Sequence, residues 1–252
     1  MRTCSTYSSK IQPGIIALIA FAYFVIVVLV LYFLNPAYSL RNSFVGYFEL
    51  NPYEFLTATT FFSLGLGSLA LVVGLYQHLL HSVKSIMGLI SLSVFGVGML
   101  TAGVFPANEG GSTVPHITTA LIAGIYPLQV VAVPETTFSF IHILAIIGAL
   151  FSLSLAALLL SWSFRQDEKW HPIYKPALIL TVVMIIVSIL FCFLLLYPAR
   201  LGYSGLINHI GLAVLGVVIG LIWLSLISGR LIFISDHPDD VTTRPATPKL
   251  PD

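Results

Sequence analysis

The stretch from Gly14 to Leu34 reads GIIALIAFAYFVIVVLVLYFL. It carries no charge and matches the ~20 apolar residues that a helix needs to cross the hydrocarbon core of a bilayer. Pro13 stands just before it, where the missing N–H of a proline costs a helix nothing. Arg2 and Lys10 form a basic leader, as in a secretory signal. However, the run exceeds the ~7–15 residue core of a signal, and no small-x-small cleavage site follows it. It is therefore read as a retained first span.

The rest of the chain repeats the pattern. Hydrophobic residues make up 58% of the sequence and charged residues 8%, against roughly a quarter charged in soluble domains. That little polar surface cannot cover a soluble fold of this length. Further apolar runs extend over about 55–76, 86–105, 138–162, 177–196 and 207–230. The predicted fold class is all-α, a polytopic transmembrane bundle of six spans filling residues 1–235. A proline-rich polar tail over 236–252 reads as disordered. Net charge is +1, which gives no reason to expect a nucleic-acid partner; the expected partners are the lipid bilayer and a second copy or another membrane protein. Cys4 and Cys192 are read as free thiols, since two such distant cysteines make no disulfide framework.

A seventh run, Ile117 to Val133, is uncharged but holds Pro127 and Gln129, and Pro134 closes it. The positive-inside rule arbitrates. Six spans with a cytoplasmic N-terminus leave Arg2, Lys10, Lys84, Arg165, Lys169, Lys175, Arg230, Arg244 and Lys249 inside, and only Arg41 and Arg200 outside. A seventh span would move Arg165, Lys169 and Lys175 outside. The segment 106–137 is thus predicted as an outer loop with a re-entrant or surface-lying hairpin, and both termini as cytoplasmic, in a bacterial inner membrane. Small residues at four-residue spacing (Ser63 with Gly67, Ala70 with Gly74, Gly98 with Ala102, Gly216 with Gly220) mark the second, third and sixth spans as the inner members.

No Asp, Glu, Lys or Arg lies near the centre of a span, which argues against an ion-coupled transporter. The polar groups that remain gather at the outer side. His142 stands about a turn inside the fourth span and His209, preceded by Asn208, opens the sixth. His116, Asn108 and Arg200 lie in outer loops. A neutral imidazole can ligate a metal or haem, or act as an acid or base near neutral pH. A histidine at a helix end is equally an interfacial hydrogen-bonding group, and His78 with His81 at the inner end of the second span is read that way. Phe105-Pro106 stops the third span.

Gly103-Val104-Phe105-Pro106-Ala107-Asn108, followed by Thr137-Phe138-Ser139-Phe140-Ile141-His142, resembles a widespread group of bacterial six-helix membrane proteins known only as a domain of unknown function. Its members carry a Phe-Pro pair after the third helix, then an acidic residue, then a histidine opening the fourth. Asn108 stands here where the acidic residue is expected, and Pro115 to Pro134 looks like an insertion. The resemblance implies six helices and singles out Phe105, Pro106, Asn108 and His142, but implies no activity. A fainter similarity, to membrane hydrolases that hold zinc by three histidines, lacks that family's paired histidines and intramembrane aspartate.

The leading functional reading is a non-enzymatic multi-pass membrane protein without a cofactor, binding a lipid or small ligand in an outer-leaflet pocket between the third, fourth and sixth spans. The alternative is a haem or zinc enzyme built on His142 and His209. A small-solute transporter or channel is the third reading, although the two halves of the chain share no motif.

Overall fold

The computed structural model describes residues 12–34, 53–105, 137–196 and 209–236. Every element there is helical: α1 (Pro13–Leu34), α2 (Glu54–His78), α3 (Val83–Val104), α4 (Thr137–Phe164), α5 (His171–Leu196) and α6 (His209–Asp236). Among the described residues no strand is present. All six are long and apolar enough to cross a membrane, as a chain with no water to satisfy its peptide groups in lipid requires.

The helices form a closed ring in chain order. Each packs on its successor, α6 returns to α1, and a smaller α2–α6 contact crosses the ring. Contacts at the helix ends show the alternation of direction. At one end, Gln12 beside α1 donates to the Asp236 carboxylate of α6, and Ser85 near the start of α3 donates to Ser163 near the end of α4 at 3.1 Å. At the opposite end, His142 near the start of α4 meets the last carbonyls of α3. Phe105 and Thr137 therefore lie at the same end of the bundle. The start of α1 and the end of α6 share the other, called the terminal end below. Residues 117–134, and the tail from 237 onward, lie outside the described residues.

The expectation that the second, third and sixth spans are the inner ones holds. Half of the core window of α2 and of α3 is buried and 44% of that of α6, against 22% for α5. α2 and α3 approach each other backbone to backbone. A methyl group added to Gly65 would stand 2.8 Å from the Gly96 carbonyl oxygen, and one added to Gly96 would stand 3.1 Å from the Gly65 oxygen. Gly74 is equally tight, because a methyl there would collide with Leu231 of α6 and touch Pro13 at 3.0 Å.

Three helices extend by three residues or more beyond the sequence reading. α5 starts at His171, not about 177, with Pro176 inside its second turn. A proline that early removes one backbone hydrogen bond without ending the helix. α6 runs to Asp236 rather than about 230. Arg230 does not mark its end, because the guanidinium is satisfied locally: Nε and Nη2 donate to the Lys169 carbonyl at 3.0 and 2.6 Å, and the group lies 5.0 Å from the Phe233 ring. α3 also begins earlier, at Val83, where the Ser82 hydroxyl accepts from the Ser85 amide at 3.2 Å as an N-cap.

The α2–α3 contact predicts that Gly65→Ala lowers stability by about 1–3 kcal/mol, the usual cost of overpacking. Gly148→Ala, where nothing lies within 4 Å of the added methyl, should leave it unchanged. Thermal unfolding of the two detergent-purified variants beside the wild type checks both.

Candidate functional site

Three polar features stand out against this apolar frame. The first is His142. A helix leaves its last four carbonyls without intrahelical partners, and the end of α3 finds one on α4. His142 is buried to 2% exposure, with Nδ1 3.0 Å from the Ala102 oxygen and 2.8 Å from the Phe105 oxygen. Both oxygens can only accept, so Nδ1 carries the proton and shares it between them. The Phe61 ring of α2 meets the imidazole edge-on at 5.6 Å. His142 shares its helix face with Ala145 and Ala149, which sit against Gly98 of α3. The imidazole thus joins α4 to α3 and α2.

The motif that singled out Phe105 and His142 thus ends in a direct hydrogen bond. The other expected site residues do not join it. His209 opens α6, but its side chain is outside the described residues. Pro106, Asn108, His116, Arg200 and Asn208 also lie outside them. α6 packs mainly on α5 and α1. It reaches α4 where the Trp223 indole donates to Ser161 at 3.3 Å and where Gly220 faces Leu153. Among the described residues no three His, Cys, Asp or Glu side chains converge as metal ligands would.

The second feature is a shallow cleft of about 40 Å³ between α4, α5 and α6. It is a different place from the expected pocket between the third, fourth and sixth helices: α3 closes tightly on α4, and this gap opens where α5, the least buried helix, leans on α4 and α6. Leu150 and Phe151 of α4, Met184 and Phe191 of α5, and Leu212 of α6 line it. Gly216 deepens it, since only Val187 lies near a methyl added there, at 3.6 Å. Among the described residues its polar lining side chains are Ser154 and Ser188, with hydroxyls 3.4 Å apart. Ser188 donates to the Met184 carbonyl at 2.8 Å and Ser154 to the Leu150 carbonyl at 3.1 Å.

The third feature escaped the sequence reading, which used the α4–α5 turn only for its charges. Asp167 in that turn is 5% exposed. Its Oδ2 accepts from the Leu80 amide at 3.3 Å and its Oδ1 from the Lys169 amide at 3.0 Å. Its backbone carbonyl accepts from the Trp170 and His171 amides that open α5. Trp170, fully buried, stacks on Phe164 at 4.9 Å and donates from Nε1 to the His78 carbonyl at 3.4 Å. The turn is thereby plugged into the end of α2. An aspartate three residues before a tryptophan just past a span was the available signal.

A ring of six membrane-length helices, held at its ends by side-chain-to-backbone hydrogen bonds and open laterally at one cleft, defines a polytopic α-helical membrane protein. The chain belongs to the family described as "Protein of unknown function (DUF998)", whose model matches residues 18–228. No curated protein and no solved structure matches it.

Removing the imidazole leaves the Ala102 and Phe105 carbonyls buried without that donor, at a cost of about 1–3 kcal/mol. His142→Ala should therefore lower the thermal midpoint. His142→Asn, whose amide can still donate, should recover part of the loss. Equal melting of His142→Ala and wild type would remove the imidazole from the account of how α3 ends.

Proposed function

We propose that this is a non-enzymatic membrane protein that takes an apolar chain from the surrounding lipid into the cleft between α4, α5 and α6. The observation that carries the reading is the cleft itself: an apolar hollow lined by aliphatic and aromatic side chains, in the half of the bundle away from the terminal end. An occupant in lipid must match that lining, so an acyl or isoprenoid chain fits and a hydrophilic solute does not. The charge bias of nine basic residues against two supports cytoplasmic termini, and with them a cleft that faces the outer leaflet.

A phospholipid carrying a photoreactive acyl chain tests this. Labelling should concentrate on the cleft segments 147–154 and 184–191, and Gly216→Leu, which fills the cleft, should reduce it several-fold without changing the melting temperature. Labelling spread evenly over the lipid-facing helices and unaffected by Gly216→Leu would overturn the reading.

One observation favours a metal or haem enzyme as the second reading. Metal-binding histidines commonly give their other ring N–H to a backbone carbonyl, and Nδ1 of His142 does so. Nε2 would then be the ligand, with His209 as a further one. Absorption spectra and elemental analysis of the wild type beside the His142→Ala, His209→Ala variant decide it. A Soret band or stoichiometric metal lost in the variant supports the enzyme, and colourless, metal-free protein in both forms removes it.

A further inference from the structure

We infer that the seam between α3 and α4 at the terminal end binds the headgroup of an anionic phospholipid through Lys84 and Arg165, with Trp162 as its interfacial platform. It rests on Lys84, Trp162 and Arg165, none of which lines the cleft. Lys84, in the first turn of α3, reaches across the seam and holds its ammonium 4.6 Å from the centre of the Trp162 ring on α4. A cation over an indole face is held in place electrostatically, so the charge of a flexible lysine is fixed at this seam. Arg165 follows Trp162 by three residues, in the turn that ends α4, and is exposed.

The acidic residue closest in sequence does not neutralise the pair. Asp167 is buried, with its carboxylate turned onto the Leu80 and Lys169 amides, and Glu168 is the remaining exposed carboxylate of that turn.

What lies along the same helices decides the kind of partner. Further into the membrane from Lys84, α3 exposes Met87 and Ile90, and further from Trp162, α4 exposes Leu155. Two cations thus stand at the head of an apolar stripe, with an amphipathic indole at the level where tryptophans anchor to the membrane surface. A phosphate above acyl chains matches that sequence of chemistries, whereas an acidic protein segment would match only its polar end. Anionic headgroups gain about 1 kcal/mol per nearby lysine or arginine, or about five-fold in binding.

Trp162 also supplies the readout. It is half exposed, while Trp170 and Trp223 are fully buried, so quenching by lipids brominated in their chains reports mainly on this seam, and Trp162→Phe confirms the assignment by removing it. The full chain is reconstituted in vesicles of phosphatidylcholine with a rising share of phosphatidylglycerol, either lipid being the brominated one. The expected result is a several-fold preference of the Trp162 position for phosphatidylglycerol. The Lys84→Gln, Arg165→Gln variant should abolish that preference, and Lys175→Gln, at an exposed lysine of α5, should leave it intact. Equal quenching by the two lipids in the wild type would overturn the proposal. So would a loss with Lys175→Gln as large as with the double variant, since the attraction would then belong to the whole charged surface.

Discussion

In hydrocarbon no water can rescue a peptide group, so every N–H and C=O must find its partner within the protein. Helices meet that demand along their length and leave it open at their ends. The polar side chains of this bundle are placed accordingly. His142 serves the carbonyls that end α3, Ser82 caps the start of α3, and Asp167 holds the Leu80 amide while its own carbonyl opens α5. Within the spans, Thr60, Ser68, Ser91 and Ser228 turn their hydroxyls back onto carbonyls of their own helices. They hide their polarity without reaching a neighbour.

One hydroxyl group is used differently. Thr181 gives its proton to the Ala177 and Ala157 carbonyls at 2.8 and 3.3 Å, so its oxygen must accept from Ser161 at 3.1 Å. Ser161 in turn accepts the Trp223 N–H. The donors run in one direction, from α6 through α4 to α5 and back to a backbone oxygen of α4. Each proton is used once. This chain fixes the relative height of three helices in the half of the bundle near the terminal end. Nothing equivalent joins the same three helices at the cleft, where Ser154 and Ser188 each turn first to their own helix.

Apolar run length was enough to read six spans, because the bilayer imposes a minimum that few soluble helices reach. Small-residue spacing correctly placed α2, α3 and α6 inside, although the backbone-to-backbone pair, Gly65 with Gly96, lies on two different helices and leaves no mark on either alone. Phe105 and His142 were legible as a motif, but not the bond between them. The start of α5 was placed too late because Pro176 lies in its second turn, and the end of α6 too early because the tertiary partner of Arg230, the Lys169 carbonyl, does not show in the sequence. Asp167 looked like one charge among several, since its burial depends on Leu80, more than eighty residues earlier. The cleft between α4, α5 and α6 was not legible because ring order comes from packing between faces, which hydropathy does not record.

The ring requires that the beginning and end of the chain emerge on one side of the membrane and that residues between α3 and α4 emerge on the other. Single cysteines introduced at Ser8, Ser112 and Thr247 of a variant lacking Cys4 and Cys192, labelled in intact cells with an impermeant maleimide, measure this directly. A six-helix ring with cytoplasmic termini predicts labelling at position 112 and protection at 8 and 247 until the membrane is opened. Labelling of 8 and 247 from opposite sides would contradict it, because an odd number of crossings cannot close this ring.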